Sequence, residues 1–427
     1  MADTSTFSGA MKTKFIGPIR DVMAKGRVLL WGSGGETGGG TPEGFKGILP
    51  RAEDISFVGN EFRIPFKTKR NQAVGFRSEN ELLMAPGASG YTYLTEPMRY
   101  AYGLFNITGQ LMKAAEVGEG AFKAAFKSEM DDTVLTSQLD FNRAAWGDGS
   151  GKMATVRTTT AATNTVVPVD TTINFRGGEV IDFVDAAGAV QSAAGGYTVV
   201  GVDRANRQLT VSPALGTGGV TANTNFLVRA SIDSTVAAPN NSFNKEIQGI
   251  QSIVTNTGTL HGVNPTTVPF WKSYVANVGG SISDSALRDA LDGIGFESGV
   301  DLEGSMDFAL ISTRGIRRRY ADTLIGLKQF NDVQSQSLRG GFKYLDFDGN
   351  PWFVDDACPV STVVGLSLKD FFWAQMSDWD WMDQDGDVLK WESRRDRYVA
   401  VLYKYCQLGT TARNRHFRLT GVTDLVQ

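Results

Sequence analysis

The sequence predicts a mixed α+β protein that carries a separate β-rich insertion. Three observations support this prediction. An amphipathic helical pattern runs from Gly118 to Trp146 and ends in the glycine-rich loop 147–151. About eighty residues of Thr-, Val- and Gly-rich sequence follow, patterned as short strands. Helices and strands are mixed again from about residue 243, as expected when one domain is inserted into another.

The composition limits the possible functions. A chain of 427 residues can form two or three domains with buried cores. Its net charge of −4 does not indicate a nucleic-acid-binding protein. His261 and His416 are the only histidines, which argues against a His-rich metal site or a Ser-His-Asp triad. We therefore expect no cofactor and no metal.

The cysteines and the apolar runs point to a protein of the cytoplasm. Cys358 and Cys406 are too few for a disulfide framework, and both lie in apolar, strand-like sequence, so we expect buried thiols. No apolar run approaches the ~18 residues that a membrane span requires. The first residues lack the pattern of a secretory signal.

Residues 1–50 are predicted to form an extended arm. The tract Gly32–Gly40 is too rich in glycine for a helix or a stable strand, and Pro18, Pro42 and Pro50 interrupt the remainder. A segment of this composition cannot bury itself. We expect it to be mobile or to lie across a partner.

Residues 51–110 are predicted to form a long hairpin. Apolar residues alternate in two runs, which end at Phe66 and begin again at Tyr91. The charged connection Lys67–Gly90 is far longer than the ~2–5 residues of ordinary hairpin loops. It is therefore expected to reach a neighbouring subunit, and a disordered surface loop is the alternative.

The basic residues of this region are the candidate contacts between subunits. Residues 1–77 contain twelve Lys and Arg but only seven Asp and Glu, so later parts of the chain must be acidic. Opposite charges on different segments suit contact between copies, although an unevenly charged, solvated surface would give the same pattern. The candidate contact residues are Arg63, Lys67, Lys69, Arg70 and Arg77.

Residues 111–153 contain the long helix. Its apolar side chains recur at helical spacing and predict one buried stripe, and its charged residues cover the other face. About twenty-eight residues at ~1.5 Å each give about 40 Å, which suits an element spanning a thin subunit. The predicted stripe consists of Phe122, Phe126, Met130, Val134, Leu135, Leu139 and Phe141.

Residues 154–236 are predicted to form a small inserted β-barrel or sandwich. They contain no Lys, Met, Trp or Cys, and their strand-like runs are separated by turn residues at a spacing of ~10–15 residues. Hairpin turns are predicted at 186–188 and at 203–206. Residues 239–244 are predicted to be the linker that leaves this domain.

Residues 237–427 are predicted to be α+β. Ser283 is expected to cap a helix, and Asp307–Ser312 to form a buried strand before a second helix. Strand patterns dominate from Phe342 and end with 398–406 and 416–420.

Three motifs in this chain resemble functional sites but lack essential members. Gly149-Ser-Gly-Lys152 has Met153 where a phosphate-binding loop needs Ser or Thr, and it follows a helix instead of opening one. Asp383, Asp385, Gly386 and Glu392 match part of a calcium loop, but Trp381 occupies its first ligand position, so a hairpin tip is favoured. The tryptophans at 373, 379, 381 and 391 favour packing in a sheet or at a subunit contact, and an aromatic platform for a ligand is the less favoured alternative.

The order of these elements resembles that of HK97-fold major capsid proteins of tailed bacteriophages. The hairpin 51–110 is similar to the family's extended loop, and the helix 118–146 to its spine helix. The loop 147–151 resembles the loop that often follows that helix. Gly349–Pro359 is similar to the family's Gly-x-Pro strand, which leads into an acidic turn and a Pro. The resemblance covers nearly the whole chain except the insertion.

The resemblance implies a structural protein of the virion, without enzymatic activity. Subunits would form hexamers and pentamers in the host cytoplasm and close an icosahedral shell around double-stranded DNA, which they approach without specific recognition. Peripheral and axial domains, a separate scaffolding protein, a portal and an optional decoration protein belong to this expectation. Some relatives crosslink through a Lys–Asn bond, and Lys67 or Lys69 would offer the lysine, but no matching Asn and Glu can be assigned. A tail-tube or decoration subunit, or an enzyme with a β accessory domain, are the alternatives.

Overall fold

The structure of the protein is a computed structural model. It describes eight stretches of the chain, and the predicted arm 1–50 lies outside them. The described residues are 56–110, 119–191, 196–230, 241–299, 308–327, 345–383, 386–392 and 395–424. Strands and helices are mixed along them, which confirms the predicted α+β class.

The strands are numbered in chain order. They are β1 (Ser56–Val58), β2 (Glu61–Lys69), β3 (Gly90–Pro97), β4 (Arg99–Thr108), β5 (Lys152–Thr155), β6 (Val166–Pro168), β7 (Val180–Val184), β8 (Val190–Gln191), β9 (Tyr197–Asp203), β10 (Gln208–Ser212), β11 (Phe226–Arg229), β12 (Tyr274–Gly280), β13 (Phe308–Ser312), β14 (Leu345–Phe347), β15 (Asn350–Val354), β16 (Val363–Ser367), β17 (Phe371–Trp381), β18 (Lys390–Trp391), β19 (Arg397–Thr410) and β20 (Phe417–Val422). The α-helices are α1 (Glu119–Trp146), α2 (Ile250–Ile253), α3 (Asp284–Ser298) and α4 (Arg314–Leu327).

The predicted hairpin is present, but its second half divides between two sheets. Strands β1, β2 and β3 form one antiparallel sheet, and residues 70–89 between β2 and β3 contain no helix or strand. The chain leaves this sheet at Met98, which is buried, and β4 pairs with β19 in another sheet. The run that the sequence presents as one strand is therefore two strands with different partners.

The helix α1 packs on one face of the long sheet formed by β4, β17, β18 and β19. Met130, Val134 and Phe141 are buried there, and Phe141 stacks on Trp373 at 5.4 Å between ring centroids. The prediction that Leu135 belongs to the buried stripe is wrong. Its side chain points away from the sheet and is 45% exposed. The side chains of Phe122 and Phe126 lie outside the described residues.

The insertion forms its own antiparallel sheet, in the order β5-β11-β7-β9-β10-β6, with β8 paired to β7. A bridge between Val156 and Val169 links the two ends of this order, and the Arg157 amide donates to the Pro168 carbonyl at 2.9 Å beside it. A separate cluster of buried apolar residues, among them Phe183 and Tyr197, fills the interior. The predicted turns at 186–188 and 203–206 join β7 to β8 and β9 to β10.

The remaining sheet has the order β12-β20-β16-β13-β15-β14. Helices α3 and α4 share a buried apolar cluster with it, which includes Phe308 and Phe417. The predicted cap is confirmed, since the Ser283 side chain accepts a hydrogen bond from the Ala286 amide at 3.3 Å. Ile311 and Val364 belong to the other apolar cluster, which also contains the α1 stripe, so the two sheets share one core.

A buried arginine fixes the junction between this sheet and the long sheet to residues 252–271. Arg413 lies between β19 and β20, and its guanidinium donates to five backbone carbonyls. These carbonyls belong to Ser252, Ile253, Thr257, Gly258 and Trp271. Burial lowers the pKa of Arg413 to about 10, so the side chain stays charged at neutral pH. The carbonyl dipoles take the place of water around this charge.

A buried histidine completes the same join. The His416 Nδ1 accepts a hydrogen bond from the Ser367 amide at 3.1 Å, and its Nε2 lies 3.0 Å from the Thr410 hydroxyl. Burial, together with the charges of Arg415 and Arg413, lowers the pKa of His416 to about 3. The imidazole is therefore neutral in the folded protein throughout the physiological range.

We predict that Arg413→Met lowers the free energy of unfolding by about 3–5 kcal/mol, because five buried carbonyls lose their donor. Denaturant unfolding followed by circular dichroism measures this. The matched control is Arg176→Met at an exposed arginine of the insertion, which should change stability by less than about 0.5 kcal/mol. Equal effects of the two substitutions would contradict the role given to Arg413.

We predict a pH-dependent difference between the wild type and His416→Gln. In the unfolded chain a histidine binds a proton below about pH 6.5, but folded His416 does not until about pH 3. Stability of the wild type is therefore lost as the pH falls through this window, whereas the variant lacks this loss. The wild type should lose about 3 kcal/mol relative to the variant between pH 7 and pH 4. A stability difference that is constant with pH would contradict a buried neutral His416.

Candidate interaction surface

One face of the β2–β3 hairpin is basic and aromatic. Side chains alternate along β2, so Arg63, Lys67 and Lys69 lie together on its exposed face. Tyr91 and Tyr93 of β3 lie on the same face, and the Lys67 Nζ is 5.9 Å from the centre of the Tyr91 ring. Within the described residues none of these three cations has an ion-pair partner. The face is therefore open to an acidic or polar partner.

The other two candidate cations lie beyond the strands. Arg70 is exposed immediately after β2. Arg77 lies in the loop 70–89 and pairs with Glu81, its Nη1 being 3.7 Å from the Glu81 Oε1. The structure thus brings three of the five predicted residues onto one face and places two along the loop. Whether any of the five contacts another subunit stays a prediction.

The loop 70–89 also carries an apolar surface, which the charge pattern of the sequence did not indicate. Phe76 has an exposed fraction of 106%, and Val74, Leu82 and Leu83 are almost as open to solvent. Four large apolar side chains so close together are unusual on the surface of a monomer. In the sequence, the charged residues of this region stand out. The apolar residues of the loop follow no strand or helix pattern, and this unpatterned apolar content was the available signal for the patch.

The base of the hairpin is fixed to the body of the same chain. Phe62 is fully buried and meets His261 and Phe372 edge to face, with ring centroids 5.3 and 5.6 Å away. The Thr95 amide donates to the His261 carbonyl at 3.1 Å, and Phe66 packs on Trp271 at 4.7 Å between centroids. The hairpin therefore leaves the body in a defined direction, and only residues 70–89 project without such contacts.

The outer face of the long sheet is a second open aromatic surface. Tyr100 and Tyr102 of β4 stand opposite Tyr405 and Tyr403 of β19, on the face away from α1. The Tyr100 and Tyr405 rings pack edge to face at 5.0 Å. Burial and a hydrogen bond with Tyr405 raise the pKa of Tyr102 to about 12. Asp380 of β17 stands opposite Tyr403 and places a carboxylate on this face.

The glycine-rich loop after α1 is a crossing point of the chain and not a phosphate site. The two ends of the insertion meet here: the Asn244 amide donates to the Ser150 carbonyl at 3.0 Å. A Cβ at Gly249 would lie within 2.6 Å of the carbonyl oxygens of Ala144, Ala145 and Gly147. The Lys152 Nζ lies 3.7 Å from the centre of the Phe226 ring, where it has no role with a phosphate.

A cluster of charges at the end of α1 contacts the segment after the insertion through Glu246 and the insertion itself through Arg229. Arg143 makes two hydrogen bonds to Glu246, at 3.0 and 2.5 Å, and donates to Asp140 at 3.0 Å. Arg229 of β11 also lies 3.5 Å from Asp140. Burial opposes ionisation of Asp140, but the two arginines hold its pKa below its usual range. A cleft of about 400 Å³, which the insertion and α1 line together, lies beside this cluster.

The groups that could support catalysis are buried or dispersed. Cys358 and Cys406 are buried, as the sequence predicts, and burial raises the pKa of Cys406 to about 12. The described parts of the chain bring no three His, Cys, Asp or Glu side chains together as metal ligands. Trp373, Trp379 and Trp381 pack in the core, although Trp391 is exposed. None of the helices described is long and apolar enough to cross a membrane.

The fold is shared with a chain from a phage capsid. A chain of the cyanophage A-1(L) capsid asymmetric unit superimposes with a TM-score of 0.55 at 12% sequence identity, over 88% of this chain and 91% of that one. A chain from the capsid of the native GTA particle gives 0.43 at 10% identity, over 94% and 98%. One from the capsid of Myoviridae phage XM1 gives 0.43 at 9%, over 88% and 90%. No protein-family model and no curated protein matches the chain. The likeness predicted from the sequence is thus confirmed at the level of the fold.

We predict that Gly249→Ala destabilises the protein by about 2–3 kcal/mol, because its methyl group would collide with backbone oxygens that cannot move independently. Thermal unfolding of purified protein measures this. The control is Gly280→Ala, where an added Cβ meets open space and no unusual backbone angle is required. The account of the crossing point fails if the two variants melt alike.

Proposed function

We propose that this chain is a major capsid protein, which self-assembles as hexamers and pentamers into an icosahedral shell around phage DNA. The observation that carries the proposal is the fold shared with the cyanophage capsid chain over most of both chains. The surfaces support it. A projecting loop with exposed apolar side chains and an open aromatic sheet are features of a subunit that is completed by other copies.

We assign the parts of the chain to the elements of the HK97-like fold. Residues 51–110 would be the extended loop, and 111–153 the spine helix of the peripheral domain. Residues 154–236 would be an inserted β-barrel, whose sheet order joined at its ends by the Val156–Val169 bridge supports this assignment. Residues 237–427 would supply the rest of the peripheral and axial domains, and 1–50 an arm across a neighbour.

The loop 70–89 would hold neighbouring subunits together mainly through apolar contact. Burying its exposed side chains in a neighbour yields roughly 25 cal/mol for each Å² removed from water. The basic face with Arg63, Lys67 and Lys69 would add orientation more than affinity, since exposed ion pairs contribute about 0.2–1 kcal/mol. On the neighbour, the outer tyrosine face would receive the loop, because its rings offer apolar area and Asp380 offers a negative charge.

The other partners follow from the same proposal. A separate scaffolding protein would guide assembly, a portal would occupy one vertex, and decoration proteins could bind outside. DNA would be enclosed by proximity without sequence recognition. The tail-tube and decoration alternatives lack support, since the 28-residue α1 belongs to neither. The burial of both thiols and both histidines gives no support to an enzyme.

Assembly of the purified protein tests the proposed function directly. The chain would be produced alone and together with a candidate scaffolding protein, and sedimentation would separate shells from free subunits. Electron microscopy should then show closed particles with six- and five-fold capsomers. A monodisperse small oligomer under all these conditions would contradict the proposal.

We predict that Phe76→Ser with Leu82→Ser abolishes shell formation while the subunit remains folded, because both side chains are exposed in the subunit and would be buried between subunits. Reversal of Lys67, Lys69 and Arg70 to Glu should weaken assembly and change its salt dependence. Sedimentation measures both effects. The control is Val200→Ser, at an apolar residue of the insertion whose side chain is 65% exposed. Normal shells from the loop variants would show that the loop is only a solvated feature.

A further inference from the structure

Two neighbouring helices of opposite charge lie over opposite ends of one sheet. Helix α3 packs over β12 and β20, and α4 over β15, in a sheet whose order is β12-β20-β16-β13-β15-β14. Both helices contribute to the same apolar cluster, so both cover the same face. Helix α3 has four acidic residues and one arginine, a net of −3. Helix α4 has four arginines and one aspartate, a net of +3.

Some of the charged side chains of α3 and α4 have no ion-pair partner within the described residues. Three pairs neutralise some of the charge: Arg288 with Asp348, Glu297 with Lys272, and Arg314 with Asp356. Asp289 and Asp292 of α3 are exposed, and they have no ion-pair partner within the described residues. The same holds for Arg318, which is exposed, and for Arg317, which is half-buried. Helix α3 therefore presents two uncompensated acidic residues. Helix α4 presents Arg317 and Arg318, together with Arg319, whose Nε donates to the Ser281 hydroxyl at 2.9 Å, and the exposed Asp322.

The acidic face also carries an unusual apolar residue. Asp289, Asp292 and Phe296 follow one another at helical spacing of three and four residues, so they share one face of α3. Phe296 has an exposed fraction of 92%. An exposed phenylalanine beside two unpaired carboxylates is typical of a contact surface more than of a solvated face.

We propose that the α3 face Asp289–Asp292–Phe296 of one copy docks on the Arg317–Arg318 face of α4 in the next copy. The two faces lie toward opposite ends of the sheet, so each copy offers one complementary surface to each of two neighbours. Such a head-to-tail contact closes into a ring when the rotation between copies is constant. The inference rests on the proposed shell function and names the contact within its rings.

A second copy fits the two faces better than a nucleic acid does. Each charge has its complement on the same chain, at the other end of the sheet, and the two nets are equal in size. A polyanion would bind only α4 and would leave the α3 face with Phe296 open. Opposite charge on the two edges would also orient the copies as they meet.

Charge reversal in separate chains tests the contact. The acid-reversed variant is Asp289→Lys with Asp292→Lys, and the base-reversed variant is Arg317→Glu with Arg318→Glu. Each variant alone would place like charges at every contact and should raise the protein concentration needed for assembly by at least about tenfold. When the two are mixed in equal amounts, alternating copies restore opposite charges at every contact of a hexamer and at four of the five contacts of a pentamer. Sedimentation should then show that the mixture assembles at a clearly lower concentration than either variant alone. A single chain with all four changes restores every contact and should assemble within about twofold of the wild-type concentration.

Three outcomes would overturn the inference. The first is assembly of both single variants at the wild-type concentration. The second is a mixture that assembles no better than either variant alone while the chain with all four changes recovers, since the charges would then act within a subunit. The third is loss of assembly in the base-reversed variant alone, which would indicate a polyanionic partner. If the wild type still forms shells in any of these cases, the proposed function stands and only the α3–α4 contact is overturned. If the wild type never assembles, the proposed function and the contact are both overturned. Circular dichroism and melting temperatures check that the variants fold.

Discussion

The anchoring of the hairpin base is the constraint on which the interpretation of this protein depends. Phe62 is enclosed by His261 and Phe372, and Phe66 rests on Trp271, so the β2–β3 hairpin cannot fold back onto its own body. Its tip consequently carries Phe76 and its apolar neighbours into solvent. Within the described residues these side chains stay uncovered, so a molecule that covered them would gain roughly 25 cal/mol per Å². An anchored base with an exposed apolar tip is the physical basis for the proposed contact between copies.

The rest of the described chain is built to hold such open surfaces in place. His416 joins the two sheets through buried hydrogen bonds, Arg413 fixes their junction to residues 252–271, and the glycines at the end of α1 let the two ends of the insertion cross closely. An ion pair between Arg229 and Asp140 links the insertion to the helix. These joins place the tyrosine face, the base of the hairpin and the helices α3 and α4 in defined relative positions. Fixed positions are what repeated, symmetric contact requires.

The local sequence pattern predicted the helices, turns and caps. It could not predict which strands pair, because pairing depends on packing between distant parts of the chain. The helix 119–146, the turns of the insertion and the cap at Ser283 follow from spacing and capping chemistry, which are properties of neighbouring residues. The division of the hairpin at Met98 could not be seen, since β4 pairs with β19 some three hundred residues later. The five basic residues were named as candidate contacts because charge is visible in a sequence. The apolar tip was not, since apolar residues are expected inside until a structure shows them outside.

The central claim is that other copies of this chain cover the loop 70–89. A cryo-electron microscopy reconstruction of assembled wild-type particles, at a resolution that shows side chains, tests it most directly. The account predicts that the side chains of Phe76 and Leu82 are enclosed by a neighbouring subunit in every capsomer. A closed shell in which this loop remains in solvent, with no neighbouring chain against it, would contradict the account.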